Sequence, residues 1–260
     1  MKRLCLLTIA AGVLQAQNAK APDAAEQREL LDKIAQNAIE SQEQLPDFVC
    51  TQLTRRGEDP SGKGKKFKLR DTLEVEFTFV ERHPNWKLLK VDGKPTRSSY
   101  DQLRSGFISD AILQFFSLPG TLFGGDNPVR FEWKRRETAN ARQLEVFAFR
   151  VPPSASNLAM SNDFGSNVVG FHGFIYADPA MSALARIEVQ LELPRSDAVR
   201  ESSIDVDYGL VTIAERQFLL PVKAVARMRT SSMAAENETD VVRYQKYSAD
   251  SSVKFGEPAN

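Results

Sequence analysis

Between Thr72 and Phe79 the chain alternates without a break. Leu73, Val75, Phe77 and Phe79 are apolar, and Thr72, Glu74, Glu76 and Thr78 between them are polar. Successive side chains of an extended strand point to opposite faces, so this run reads as a strand with one face in a core and the other in water. The pattern recurs in Trp86 to Val91, closed by the turn residues Asp92-Gly93, and in Phe131-Glu132-Trp133-Lys134 and Leu144 to Val151. Phe171 to Tyr176 leads into Asp178-Pro179, a turn signal. Leu184 to Leu193 alternates again, and Ile204, Val206 and Tyr208 are interleaved with Asp205 and Asp207. Phe218 to Met228, Val241 to Tyr247 and Ser251 to Phe255 complete the set. Strands of this length separated by turns predict an antiparallel meander.

Two segments carry a helical period instead. Asp23 with Glu26 three residues on forms a capping-box pattern, and Leu30, Leu31, Ile34, Ala35, Ala38 and Ile39 follow at helical spacing. This predicts an amphipathic helix over about residues 24–44, ended by Leu45-Pro46. Ser105 to Ser117 places Phe107, Ile108, Ala111, Ile112, Phe115 and Phe116 on one strongly apolar helix face, stopped by Leu118-Pro119-Gly120. Residues 118–128, with three Gly and two Pro, and residues 153–168, rich in Ser and Asn, read as loops.

The first sixteen residues read as a cleaved export signal: Lys2 and Arg3, then an apolar run of 11 residues from Leu4 to Leu14, then Ala16. That run is too short to cross a bilayer as a helix. Cys5 lies too early in it to be a lipidated cysteine. Removal of the signal leaves Cys50 alone, so no internal disulfide forms, and its setting in Phe48-Val49-Cys50 predicts a buried thiol. The domain plan is therefore a signal peptide over 1–16, a linker and amphipathic helix over 17–45, and one antiparallel β domain over 46–260.

Charge excludes one class of partner. The chain has 34 basic and 34 acidic residues, and loss of Lys2 and Arg3 leaves 32 against 34, a net side-chain charge of −2. No broad positive field draws nucleic acid. The local run Lys63, Lys65, Lys66, Lys68 and Arg70, with Gly62 and Gly64 between, reads as a solvated hairpin tip.

Motifs for catalysis are missing. There is no G-x-S-x-G elbow, phosphate-binding loop or dinucleotide fingerprint, and no metalloprotease H-E-x-x-H. His83 reads as a turn residue before Pro84-Asn85, and His172 as an outward-facing strand residue. Asp205 and Asp207 share one strand face and read as solvated, and Asp178 as a turn former. These residues predict a protein that is not an enzyme and needs no metal or cofactor.

The stretch Leu45-Pro46-Asp47-Phe48-Val49-Cys50-Thr51-Gln52-Leu53-Thr54-Arg55-Arg56 resembles a family of uncharacterised exported bacterial proteins with an L-P-D-F-x-C-x-Q-x-T-R-R pattern. Phe147 to Pro152, Gly173 to Asp178, Val206-Asp207-Tyr208, Leu219 to Ala224, Glu236-Asn237-Glu238 and Arg243 to Tyr247 carry the resemblance further along the chain. The layout is also similar to the lipoprotein-carrier group of the LolA, LolB and RseB type. That likeness implies an α+β fold in which a curved antiparallel sheet, a half-barrel, holds an N-terminal helix and a short apolar helix. It implies a periplasmic or secreted protein that binds lipid, lipoprotein or another apolar ligand in the groove. The alternative is an envelope protein-interaction or sensor module without a small-molecule ligand. The expected ligand-binding residues are Phe107, Ile108, Ile112, Phe115 and Phe116. Read from its residues alone, the aromatic face of that helix is better explained as core than as a lid or plug.

Overall fold

The alternating segments up to Tyr247 pair with their neighbours as β-structure. The computed structural model describes residues 21–99, 111–124, 129–139, 141–156, 158–162, 165–194 and 199–248, the side chains of 111–115, 159–162 and 165–166 excepted. Its strands are β1 (Phe48–Asp59), β2 (Lys68–Val80), β3 (His83–Val91), β4 (Lys94–Pro95), β5 (Phe131–Ala139), β6 (Arg142–Val151), β7 (Ala159–Asn162), β8 (Gly165–Val168), β9 (Gly170–Asp178), β10 (Ala183–Glu192), β11 (Val199–Ile213), β12 (Arg216–Thr230) and β13 (Ala234–Lys246). Its helices are α1 (Ala24–Glu43) and α2 (Ala111–Phe123).

Eleven strands form one sheet in the order β4-β3-β2-β1-β13-β12-β11-β10-β9-β6-β5, and every pair is antiparallel. The first and last described strands meet inside the sheet, where the Thr54 and Thr239 hydroxyls lie 2.9 Å apart. The two edges, β4 and β5, do not pair, so the sheet is curved and unclosed: the expected α+β half-barrel. The chain must pass from edge β4 to edge β5, and α2 lies on that crossing.

The inner face carries the core. Ile34 of α1 and Leu118 and Leu122 of α2 are buried against Phe147, Phe171, Ile175, Ile187 and Val206 of the sheet. The alternation predicts these faces directly, since Leu73, Val75 and Phe77 are buried and Glu74 and Glu76 are not. Along β1 the inward positions change from Phe48 and Cys50 to Gln52, Thr54 and Arg56, all buried. Arg56 donates to Asp71 on β2, Nε to Oδ1 at 2.6 Å, so this charge enters the interior already paired. The inner face thus has an apolar end and a polar end, and the apolar end lies beside the C-terminal half of α1. The outer face is laced with ion pairs. Arg186 meets Asp207 at 2.5 Å, and Arg227 meets Asp205 at 2.9 Å and Glu236 at 2.7 Å. Asp205 and Asp207 therefore sit outside, as expected, but paired rather than merely solvated.

The capping box at Asp23 forms as the sequence predicts: its carboxylate accepts from the Ala25 and Glu26 N–H groups, and Glu26 accepts from the Asp23 N–H. Asp178 accepts from the Ala180 and Met181 N–H groups, the turn role expected of it. Cys50 is buried and reduced.

Three expectations need correction. The apolar helix does not stop at Leu118-Pro119-Gly120; α2 runs through Pro119 to Phe123. Proline inside a helix costs roughly 3 kcal/mol, but Leu118 and Leu122 are both buried, and burial of a leucine is worth about 1.5–3 kcal/mol. The Thr121 hydroxyl also donates to the Ser117 carbonyl at 3.2 Å. Tertiary packing therefore overrides the local breaker. Second, residues 153–168 are not all loop. Pro153–Ala155 form a 3-10 turn, and β7 and β8 pair as a hairpin. Buried Leu158 and Val169 pin the hairpin's ends, joined by an N–H to carbonyl bond of 2.9 Å from Val169 to Leu158. Third, His83 opens β3 rather than lying in the turn, which is made by Glu81 and Arg82 at φ 50° and 64°. The expected strand over Ser251 to Phe255 lies outside the described residues.

Candidate apolar binding site

An apolar cavity of about 220 Å³ lies at the apolar end of the inner face. Its wall on α1 is the stripe Ala38, Ser41 and Gln42, continued by Leu45 just past the helix end. These are helical neighbours of Ile34, which is buried. The step from isoleucine to alanine and serine on one helix face removes the side-chain bulk that fills the core one turn earlier. Space opens there because the side chains shorten.

The opposite wall is aromatic. Phe48 of β1 and Phe77 and Phe79 of β2 line the cavity, with Phe116, Ser117 and Pro119 of α2. The Phe77 and Phe116 rings are stacked, with centroids 4.9 Å apart and planes 3° apart. Phe48 lies at the centre of the cluster, 5.8 Å from Phe77, 5.6 Å from Phe79, 5.7 Å from Phe116 and 5.6 Å from Tyr244. Tyr208, Leu219, Leu220 and Pro221 of β11 and β12 close the floor, and Arg82 and Pro84 belong to the rim between β2 and β3.

The polar groups around this floor are held neutral. Burial pushes the Tyr208 and Tyr244 hydroxyls and the Cys50 thiol well above their ordinary pKa values. The Tyr244 hydroxyl donates to the Pro221 carbonyl at 2.6 Å and so satisfies its own hydrogen bond inside the core. The aromatic wall and the apolar floor bind by area and dispersion, and Arg82 places a charge at the rim.

Of the expected ligand-binding residues, Phe116 lines the cavity. Ile112 and Phe115 lie on the α2 backbone, their side chains outside the described set, and Phe107 and Ile108 lie outside the described residues altogether. Sequence reasoning missed Phe48, Phe77 and Phe79, which it assigned only to strands. Their signal was present in the alternation, but the alternation does not say which inward residues meet a solid core and which meet space. The shortening of α1 from Ile34 to Ala38 and Ser41 was the readable clue.

A second cavity of about 380 Å³ lies under the N-terminal half of α1, between Leu31, Leu122, Phe123 and Phe131, with Arg28 and Asp32 at its wall. His172 is exposed on the outer face, its Nδ1 3.3 Å from Glu192, whose carboxyl is held below its ordinary pKa mainly by Arg150. Among the described residues no group of three or more His, Cys, Asp and Glu is placed to hold a metal ion.

No protein-family model and no curated protein matches the chain. Solved structures that superpose on it include a DUF1329 family protein from Desulfovibrio piger, with 6% identity, coverage of 85% of this chain and 94% of that one, and a TM-score of 0.39. A putative outer membrane lipoprotein-sorting protein domain from Vibrio parahaemolyticus has 11% identity, coverage of 86% and 95%, and a TM-score of 0.35. The MucA/MucB complex of Pseudomonas aeruginosa matches with 12% identity, coverage of 82% and 93%, and a TM-score of 0.22. Likeness at this level carries no ligand or partner across to this chain. What its own fold and site define is a half-barrel protein with an aromatic-walled cavity between two helices and the sheet.

Proposed function

We propose that the protein is an exported, non-enzymatic carrier that holds lipid, the acyl part of a lipoprotein or another apolar ligand in its half-barrel. The observation that supports this reading is the cavity walled by Phe48, Phe77, Phe79 and Phe116 and opened by Ala38 and Ser41. Well-packed interiors close voids of this size, because each unfilled volume forfeits contacts on all its walls. A chain that keeps small residues on α1 facing an aromatic cluster retains space at a cost in stability, and a ligand is the function that such space serves. In this reading residues 1–16 are the export signal, residues 17–45 the linker and first helix, and residues 46–260 the binding domain, which acts in the periplasm or outside the cell.

Native mass spectrometry of the protein taken from cells tests the proposal, together with titration of a fluorescent fatty acid. Co-purified apolar ligand and saturable binding are expected. Protein that is ligand-free in the cell and binds no fatty acid in solution sinks the carrier reading and leaves the interaction-module alternative. N-terminal sequencing of the exported protein checks the signal, with a start near Gln17 as the expected result.

A further inference from the structure

We propose that the occupant of the aromatic cavity is a single-chain amphiphile with a carboxylate head, and that Arg82 holds the head. This rests on the apolar-ligand reading above and names the chemistry of the ligand. Arg82 is the one charged residue among the described residues lining the cavity. It is exposed, and among the described residues it has no ion pair and no hydrogen bond. Other arginines of the sheet are spoken for: Arg56 by Asp71, Arg136 by Glu145, Arg150 by Glu192, Arg186 by Asp207 and Arg227 by Asp205. A guanidinium at the rim of an apolar wall, its five donors unmatched by any described residue, is complementary to a ligand whose tail is apolar and whose head is an anion.

The backbone fixes where that guanidinium stands. Glu81 and Arg82 make the two-residue turn between β2 and β3, and both have left-handed φ, 50° and 64°. Turns of this type favour Asn-Gly, and neither Glu nor Arg is suited to them. The Glu81 N–H donates to the Asp47 carboxylate at 2.9 Å and ties the turn to the start of β1. Glu81 itself does not line the cavity. The same backbone recurs at Ala214 and Glu215, so the turn accounts for a defined position, and the identity of the lining accounts for the ligand.

Size selects one chain. A cavity of about 220 Å³ exceeds the roughly 150 Å³ that takes a benzene and falls short of the ~300–1,000 Å³ of pockets for larger ligands. Two tails do not fit such a space, and one does. One unpaired guanidinium matches one negative charge, and its fork matches the two oxygens of a carboxylate.

Calorimetric titration of the full chain with decanoate and with decanol, in wild type and Arg82→Ala, tests the assignment. Decanoate is expected to bind wild type at least about tenfold more tightly than decanol. Arg82→Ala is expected to erase that difference by weakening decanoate alone, with decanol binding unchanged and reporting an intact fold. Shortening decanoate to octanoate is expected to weaken binding, at most roughly fourfold per methylene removed. Equal binding of decanoate to wild type and Arg82→Ala overturns the role of Arg82 while leaving the apolar cavity in place. Decyl phosphate binding more tightly than decanoate overturns the carboxylate head. Failure of every ligand to bind overturns the carrier reading and this inference with it.

Discussion

Phe77 of β2 and Phe116 of α2 lie face to face, 4.9 Å between centroids and 3° between planes, and this stack fastens the crossing helix to the sheet. Phe77 is also 5.3 Å from the Trp86 ring, which ties the stack to β3. The two phenylalanines differ in burial, Phe77 being fully buried and Phe116 half-buried. Phe77→Ala is expected to cost about 3–5 kcal/mol, the range for a buried phenylalanine. Phe116→Ala should cost less, about 1–2 kcal/mol, and widen the cavity. Urea denaturation gives both values, and intrinsic fluorescence should change more in the Phe77 variant because Trp86 loses its ring neighbour. Equal costs would mean that α2 is held by something other than this stack.

Gly173 on β9 is opposite Val189 of β10 on one side and Phe149 of β6 on the other. A Cβ there would lie 1.8 Å from the Glu188 carbonyl oxygen and 2.8 Å from its carbonyl carbon. These are backbone atoms of a paired strand, so only displacement of β10 relieves the clash. Gly173→Ala is expected to destabilise by more than about 3 kcal/mol or to prevent folding. Gly93 is a useful contrast. It has φ 73° in the turn after β3, and a Cβ there meets nothing within 4 Å. Gly93→Ala carries only the left-handed penalty, about 1–2 kcal/mol. Thermal melts of the two variants separate steric from conformational cost.

How far the sequence foretold this molecule depends on what each signal measures. Alternation reports which side of a strand meets water, and it named the faces of β2, β10 and β11 through Leu73 to Phe79, Ile187 to Leu191 and Ile204 to Tyr208. The antiparallel strands and the two helices followed from the two periods, whereas the unclosed half-barrel was implied only by the likeness to the lipoprotein-carrier group. Signals read within one segment failed where a distant segment decided the outcome. Pro119 reads as a stop, yet Leu118 and Leu122 are pulled into the core by Ile34 and the sheet. The polar segment around β7 and β8 reads as loop, yet Leu158 and Val169 anchor it. The cavity was the hardest to foresee, because it is a property of α1, α2, β1, β2 and β12 together. Only Phe116 of the expected ligand-binding set can be placed on its wall.

Strong acid should loosen the tip of the β1–β2 hairpin. The Asp59 carboxylate accepts from the Ser61 hydroxyl at 2.7 Å and the Ser61 N–H at 3.0 Å, and from the N–H groups of Lys65 and Lys66 at 3.1 and 3.4 Å. These bonds, Ser61's above all, hold its carboxyl down at about 2, against an ordinary value of 3.8. The folded state therefore favours the ionised form more than the unfolded chain does. The stabilisation is complete above the unfolded pKa and is lost as pH falls from about 4 to about 2. Wild type should lose thermal stability across that window. Asp59→Asn should start lower at neutral pH and lose less between pH 4 and 2, and an identical acid profile in the two proteins would remove Asp59 as the cause.

Ser41 offers the most direct test that the aromatic cavity is where a ligand sits. It stands on the α1 stripe between Ala38 and Leu45, half-buried, with the cavity of about 220 Å³ before it. A leucine side chain at this position points into existing space, so Ser41→Leu should fill volume without the strain that overpacking brings to a closed core. Leucine is also the better helix former, by a few tenths of a kcal/mol. Both effects favour the fold, and the expected outcome is a melting temperature equal to or above wild type. Binding should move the other way, with fatty-acid affinity falling at least about tenfold as the chain loses its place beside the aromatic wall of Phe48, Phe79 and Phe116. A gain in stability with a loss of binding separates occupation of the site from damage to the protein. A Ser41→Leu protein that binds like wild type would shift the ligand to another place, such as the cavity between Leu31 and Phe131 under the first half of α1.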